Sequence, residues 1–217
     1  MGRPARLSRE AICDAAMSLL AESGSADFTL RALGDRLGVD PTAVYRHFSD
    51  KEDLLLEVGD RSMDPVTRGF RATDDPVSDI VRLCGRLRST LIESPVVLPI
   101  VAAGPTRRDN ELRITEVVLD ALDRAGLVTD RAVTAYHAII EYTLGSAWLD
   151  APLAAASSDR ASTYRKWRSD YRNLDPERFP ATVSASLSLY PSSNVVFEVG
   201  LSALLIGLLD DGDSQKA

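Results

Sequence analysis

Apolar residues recur every three or four positions along most of this chain, and the interruptions between them carry helix-capping chemistry. From Ser8 to Gly24, Ile12, Ala16, Leu19 and Leu20 fall on one face at helical spacing. Ser8 is placed as N-cap, Glu10 stands in the first turn and Gly24 ends the run. A second helix is predicted after Thr29 as N-cap, with Phe28 and Leu33 as a hydrophobic staple and Leu30, Leu33 and Leu37 as inner stripe. Gly38 permits a sharp exit. Asp40 and Pro41 then open a short helix over 41–47, and Ser49 with Glu52 reads as a capping box for another through Leu54, Leu55 and Val58.

The remaining two-thirds continues in the same period. Val77, Ile80, Val81, Leu83, Cys84, Leu87 and Leu91 form the apolar side of a helix over 76–93. One short apolar helix is expected over 95–103, amphipathic helices over 107–125 and 131–150, and a loop or short helix within 154–192. The helix from Val195 to Leu209 is apolar nearly all round, and the tail over 210–217 is expected to be disordered. The fold class is therefore all-α. An N-terminal unit over 1–58 comprises an arm (1–7), a supporting helix and two short helices joined by a glycine turn, the helix-turn-helix pattern. A helical unit follows over 59–217.

Composition narrows the class. With 45% hydrophobic and 26% charged residues in 217, the chain has an ordinary globular balance. No uncharged apolar run reaches about 18 residues, and no apolar stretch follows the N-terminal arginines, so neither a membrane span nor secretion is expected. Cys13 and Cys84 sit in apolar helical patterns, as buried thiols of a cytosolic protein would. The net charge of -7 opposes binding to nucleic acid unless charge is segregated. Residues 1–9 carry three arginines and no acid, whereas residues 10–60 carry four basic and eleven acidic side chains.

The helix at 41–47 answers that demand. Val44 and Phe48, four apart, turn inward with Leu33 and Leu37. Thr42, Ala43, Tyr45, Arg46 and His47 are left on the outer face or its flanks, a set suited to a major groove. Asp14, Glu22 and Asp35 are expected on other faces.

The stretch "TLRALGDRLGVDPTAVYRHFSDKEDLL" resembles the DNA-binding domain of the TetR family of bacterial repressors, over about residues 8–58. Carried over by position, the resemblance implies that Thr29, Tyr45 and Lys51 bind phosphate. It further implies that Thr42, Ala43 and Arg46 approach base edges or nearby phosphates, with His47 at the margin. Thr29 and Lys51 stand at helix N-termini, which favour an anion. Arg3 and Arg6 of the arm could reach an adjacent groove.

The C-terminal unit carries weaker signals. The helix after Val195 must bury apolar surface on several sides, and Gly200, Ala203 and Gly207 allow close approach. The helix at 131–150 offers a similar mixture. Together they read as a dimer-forming pair, with Ala135, Ala138, Tyr142, Gly145, Val196, Gly200, Ala203, Leu204 and Gly207 at the interface of a four-helix bundle between two copies. "AIIEYTLGSAWLD" and "FEVGLSALLIGLL" are similar to the dimer helices of the tetracycline-repressor branch. A ligand pocket is expected to draw on Leu98, Val101, His137, Glu141, Tyr142 and Trp148. The only histidines are His47 and His137. The histidine that the tetracycline branch places just ahead of the helix at 107–125 thus has no counterpart, and a magnesium–tetracycline inducer is not implied.

No P-loop, dinucleotide fingerprint, zinc-protease motif or nucleophile elbow occurs. No enzyme activity, cofactor or metal is expected. The reading is a homodimeric repressor of a palindromic double-stranded operator, released by a small-molecule inducer. Two alternatives stay open: a DNA-binding activator or architectural protein without an inducer, and a helical enzyme or adaptor that does not use DNA.

Overall fold

The computed structural model describes residues 7–24, 27–156 and 160–210; Arg3, Arg6 and the tail beyond 210 lie outside them. Helices α1 (Arg9–Ser23) and α2 (Leu30–Leu37) lead to a 3-10 helix at Pro41–Arg46. Then come α3 (Lys51–Ser62), α4 (Asp64–Thr67) and α5 (Pro76–Glu93). A 3-10 turn at Pro95–Val97 precedes α6 (Leu98–Ala102), α7 (Asp109–Arg124), α8 (Thr129–Ala156), α9 (Arg160–Arg172), α10 (Pro180–Ala185) and α11 (Ser193–Asp210). No strand occurs among the described residues.

Capping decides the N-terminal unit. Ser8 Oγ accepts from the Ala11 N–H and Thr29 Oγ1 from the Ala32 N–H, each at 3.1 Å. The staple pair Phe28 and Leu33 is fully buried, and with Ile12, Ala16, Leu20, Val44 and Leu54 it fills the space between α1, α2 and α3. Gly38 takes a left-handed φ of 66° and closes α2. Gly34 matters for another reason: a Cβ there would lie 2.9 Å from the Val39 carbonyl oxygen and 3.0 Å from the Pro41 ring. The turn between the two short helices closes only because that Cβ is missing.

Three expectations are corrected here. The capping box sits one residue later than Ser49 and Glu52: Asp50 caps α3 by accepting from the Asp53 N–H at 2.7 Å, and Asp53 reaches back to the Ser49 N–H at 2.9 Å. A carboxylate accepts more strongly than a hydroxyl, so the acid wins the cap. The apolar segment over 95–103 is broken into a 3-10 turn and a five-residue helix rather than one helix. The region over 154–192 is largely helical, with α9 held to the chain before α11 by Tyr164 and Trp167 packing on Tyr190 at 5.5 and 4.9 Å.

In the C-terminal unit α5 packs between α7 and α8 through Ile80, Leu83, Leu87, Val118, Leu122 and Ile139, all buried. Arg88 of α5 crosses to α8 and α11, donating to Ser146 Oγ at 2.9 Å, to Asn194 Oδ1 at 2.8 Å and to the Asp150 carboxylate. Asp79, with no exposed side-chain surface, accepts from Thr73, Arg82 and Arg124 and ties the 68–75 loop to α5 and α7.

Candidate nucleic-acid interface and ligand cavity

The 3-10 helix presents a small outward face. Val44 is fully buried and Phe48 nearly so, whereas Thr42, Tyr45 and Arg46 are exposed, Tyr45 to 53%. Ala43 and His47 are half-buried flanks. Expected as an α-helix over 41–47, the element closes three-residue bonds instead: Ala43 N–H to the Asp40 carbonyl at 2.8 Å and His47 N–H to the Val44 carbonyl at 2.9 Å. Pro41 contributes no N–H, and only six residues lie between it and its buried exit, so the tighter winding suffices.

Asp40 sits at the start of this face. Its carboxylate accepts from the Thr42 hydroxyl at 2.5 Å and the Thr42 N–H at 2.8 Å, and these bonds, the hydroxyl first, lower its pKa. Thr42 has thereby committed its proton and keeps acceptor capacity, so it suits a base-edge donor. Thr29 is the converse: its oxygen accepts from the helix while its hydroxyl proton remains to be donated. Lys51 Nζ donates to the Phe28 carbonyl at 2.6 Å and lies 5.3 Å from the Phe28 ring, which holds the ammonium beside the Thr29 cap. Arg9, not singled out as a site residue in the sequence, donates to the His47 carbonyl, pairs with Glu57 at 3.2 Å and stacks 4.1 Å from the Phe48 ring. It pins the exit of the 3-10 helix to α1 and α3. Glu22 and Asp14 are engaged by Arg36 and Arg61 away from that face.

A cavity of about 340 Å³ opens between α5, α6, α7 and α8. Val101, His137 and Glu141 line it as expected, with Leu87, Ile114, Ile140 and Leu144 supplying apolar wall and Met63 closing the side toward α3. Thr115 bridges Glu111 Oε1 and the Tyr136 hydroxyl at 2.9 and 2.8 Å, and burial raises the Tyr136 pKa, so the phenol is neutral. The other three expected lining residues are elsewhere. Leu98 and Trp148 border a separate groove with Pro95 and Pro152, past the end of the cavity. Tyr142 follows Glu141 by one residue, about 100° round the helix, and faces α11. Its ring stacks on Phe197 at 5.7 Å, and its hydroxyl donates to the Val196 and Phe197 carbonyls. Gly200 makes room for it, since a Cβ there would fall 1.9 Å from the phenol oxygen.

The cavity wall is bonded to α3. Asp60, 3% exposed, accepts at Oδ1 from the Thr106 hydroxyl and the Glu111 N–H, both at 2.9 Å. At Oδ2 it accepts from the Asn110 N–H at 3.1 Å and Asn110 Nδ2 at 3.0 Å. A carboxylate of α3 thus caps the first turn of α7. Arg108 doubles the link, donating to Glu57 at 3.1 Å, to the Asp53 carbonyl at 3.0 Å and to the Thr106 carbonyl at 2.9 Å.

Helix α11 buries Phe197, Leu201 and Leu205 against its neighbours and leaves Val195, Val196, Val199 and Ile206 exposed, Val199 to 64%. By length and composition alone it is apolar enough to cross a membrane, although Glu198 interrupts the apolar sequence. Leu149 and Trp148 of α8 are likewise exposed. Gly145, Ala203 and Gly207 are on the surface and Ala138 and Leu204 partly so, but Ala135 is 1% exposed inside the subunit. It lies seven residues before Tyr142, close to the inner side of α8, and cannot meet a second copy directly.

Residues 12–58 match the family model of bacterial regulatory proteins of the tetR family, and residues 72–211 match that of the tetracyclin repressor-like C-terminal domain. The chain belongs to the TetR family. Over 180 residues this TetR-family protein is 29% identical to an HTH-type transcriptional regulator of Saccharopolyspora erythraea, covering 81% of this chain and 76% of that one. The structure of SCO7222, a TetR transcriptional regulator from Streptomyces coelicolor, superposes with a TM-score of 0.81 at 26% identity, covering 94% and 98% of the two chains. ActR of the same organism, solved in complex with actinorhodin, shares the fold with a TM-score of 0.83 at 19% identity over 96% and 100%. The protein is a TetR-family transcriptional regulator.

For this TetR-family regulator, three functional positions escaped the sequence reading. Gly34 recurs four residues before Gly38, a spacing that fits a close helix–turn contact. Arg9 carries no pattern that separates it from a solvated arm. Asp60 follows Val58 by two residues, and nothing local marks it as the cap of a helix about fifty residues later.

Proposed function

We propose that this TetR-family regulator is a repressor that binds a palindromic operator as a homodimer and leaves it when a small molecule fills the cavity. The observation that carries the reading is the Thr106–Asp60 bond, through which a cavity-lining residue holds α3, the helix that follows the reading face. A ligand that displaces the Gly104–Thr106 wall would shift Asp60, and with it α3 and the 3-10 helix. Release requires that the ligand prefer the displaced arrangement; equal affinity for both would release nothing. The tetracyclin repressor-like match of the C-terminal domain supports a repressor over an activator, and ActR holds actinorhodin within the same fold.

On the DNA, Thr42, Ala43, Tyr45 and Arg46 would enter the major groove, with Thr29 and Lys51 on phosphates and His47 at the margin. Two copies would pair through the outer faces of α8 and α11, Ala138, Gly145, Val196, Ala203, Leu204 and Gly207 among them, placing half-sites about one helical turn (about 34–36 Å) apart or a little more. That pairing accounts for the apolar exterior of α11 without a membrane.

The test is fluorescence anisotropy on DNA from the region upstream of the protein's own coding sequence. Binding should fall steeply with salt, saturate at two subunits per site, and weaken on Tyr45→Ala. Salt-insensitive binding, or none to any sequence recovered from random DNA, would refute the reading.

A further inference from the structure

Resting on the proposal that the cavity takes an inducer, we infer that it selects an apolar body carrying a protonated amine. Its apolar wall is interrupted by two carboxylates, Glu111 and Glu141, and no lysine or arginine among the described residues lines it. Glu111 is held in place by its own chain: Oε2 accepts from the Arg107 N–H at 3.1 Å and Oε1 from the Thr115 hydroxyl at 2.9 Å. Its orientation is set before any ligand arrives. Glu141, one turn after His137 on α8, has no ion pair within the described residues and faces the cavity mouth.

Two arginines adjoin the cavity wall in sequence, and neither lines the cavity. The Arg108 guanidinium is spent on Asp53, Glu57 and the Thr106 carbonyl, and Arg107 belongs to a separate depression beside α3. An anionic ligand would bring a third negative group into an apolar enclosure with nothing to neutralise it, which is unfavourable. A neutral apolar ligand would leave Glu141 partly stripped of water and unpaired. A flat or bent hydrocarbon with one ammonium offsets both costs: the body covers Leu87, Ile114, Ile140 and Leu144, and the N–H groups donate to the carboxylates and the Tyr136 hydroxyl. His137 adds an acceptor at the mouth when neutral.

Three fluorescent probes on one scaffold test this: 9-(aminomethyl)anthracene, 9-anthracenemethanol and 9-anthracenecarboxylate, titrated into the 217-residue protein. The amine should bind at least about tenfold more tightly than the alcohol, a difference of about 1.4 kcal/mol, with the carboxylate weakest. Glu141→Gln should remove most of that preference and the Glu111→Gln/Glu141→Gln pair all of it. Circular dichroism melting confirms that each variant is folded; among the described residues the Glu141 side chain makes no hydrogen bond or ion pair whose loss would unfold it. Equal or tighter binding of the carboxylate, binding of none of the three, or an amine preference that survives the double variant would overturn the inference. Anisotropy on DNA, run without probe, reads the regulator proposal separately: intact operator binding with no amine preference defeats only the ligand class.

Discussion

Replacing Asp60 should cost more than any single surface substitution in this protein, because its side chain closes four hydrogen bonds from α3, one to Thr106 of the cavity wall and three to the first turn of α7. Two of the donors are backbone N–H groups of the first turn of α7, which have no carbonyl partner within their own helix. All four bonds end on one charged acceptor, where each contributes about 1.5–3 kcal/mol. Against this stands the cost of holding a carboxylate at 3% exposure, several kcal/mol in typical cases. The net loss in Asp60→Ala is about 3–5 kcal/mol, since the donors are left buried and unsatisfied. Asp60→Asn preserves shape but turns an amide NH2 toward two donors, so about 2–3 kcal/mol should be lost. Thr106→Val removes one bond while three donors still satisfy the carboxylate, so about 1.5 kcal/mol should be lost. Guanidinium unfolding followed by circular dichroism gives the three values from midpoint shifts at constant slope. The order Ala, Asn, then Val is the signature. If Asp60→Asn lies within about 1 kcal/mol of wild type, the carboxylate is not the cap described here, and the proposed route from cavity to DNA loses its bond.

Three further outcomes are expected. Arg46→Ala should weaken operator binding at all sequences and lower the slope of log K against log salt by about 1, measured by anisotropy, if Arg46 meets a phosphate; an unchanged slope with relaxed sequence preference would place it on a base. Val199→Asp with Ile206→Asp should shift the protein from dimer to monomer in sedimentation velocity, since both side chains are exposed on α11 and would put charge into the proposed interface. Burial pushes the Asp79 carboxyl up in pKa, but the Thr73 N–H, Arg124, the Thr73 hydroxyl and Arg82 outweigh it and hold the pKa at about 2, below the ordinary 3.8. Its contribution to stability is therefore complete above about pH 4 and disappears as pH falls toward 2, and Asp79→Asn should flatten the stability profile in that window.

How far the site could be read in advance depended on the range of each interaction. Ser8, Thr29 and Asp40 cap their helices because the bonds they make span two or three residues, and such bonds are written in local sequence. The inward turn of Val44 and Phe48 follows from helical period alone. The same period misplaced Tyr142: spacing puts it on a helix with His137 and Glu141, but which of the faces meets the cavity depends on where α11 docks. Trp148 and Leu98 were misassigned for the same reason, being apolar residues whose partners are set by packing and not by pattern. Ala135, small and therefore legible as an interface residue, is equally suited to the inner contact it makes.

The sequence by itself determined the helical class, the three-helix reading head, its outward residues and the family, because capping and amphipathic period are short-range and each is satisfied within one or two turns. Only the tertiary structure decided that Asp60 caps α7, that Arg9 pins the reading face, that Gly200 admits the Tyr142 ring and that two carboxylates share one cavity. Those pairs lie between about thirty and sixty residues apart, and their geometry arises from how whole helices stack to exclude water, which no local pattern encodes.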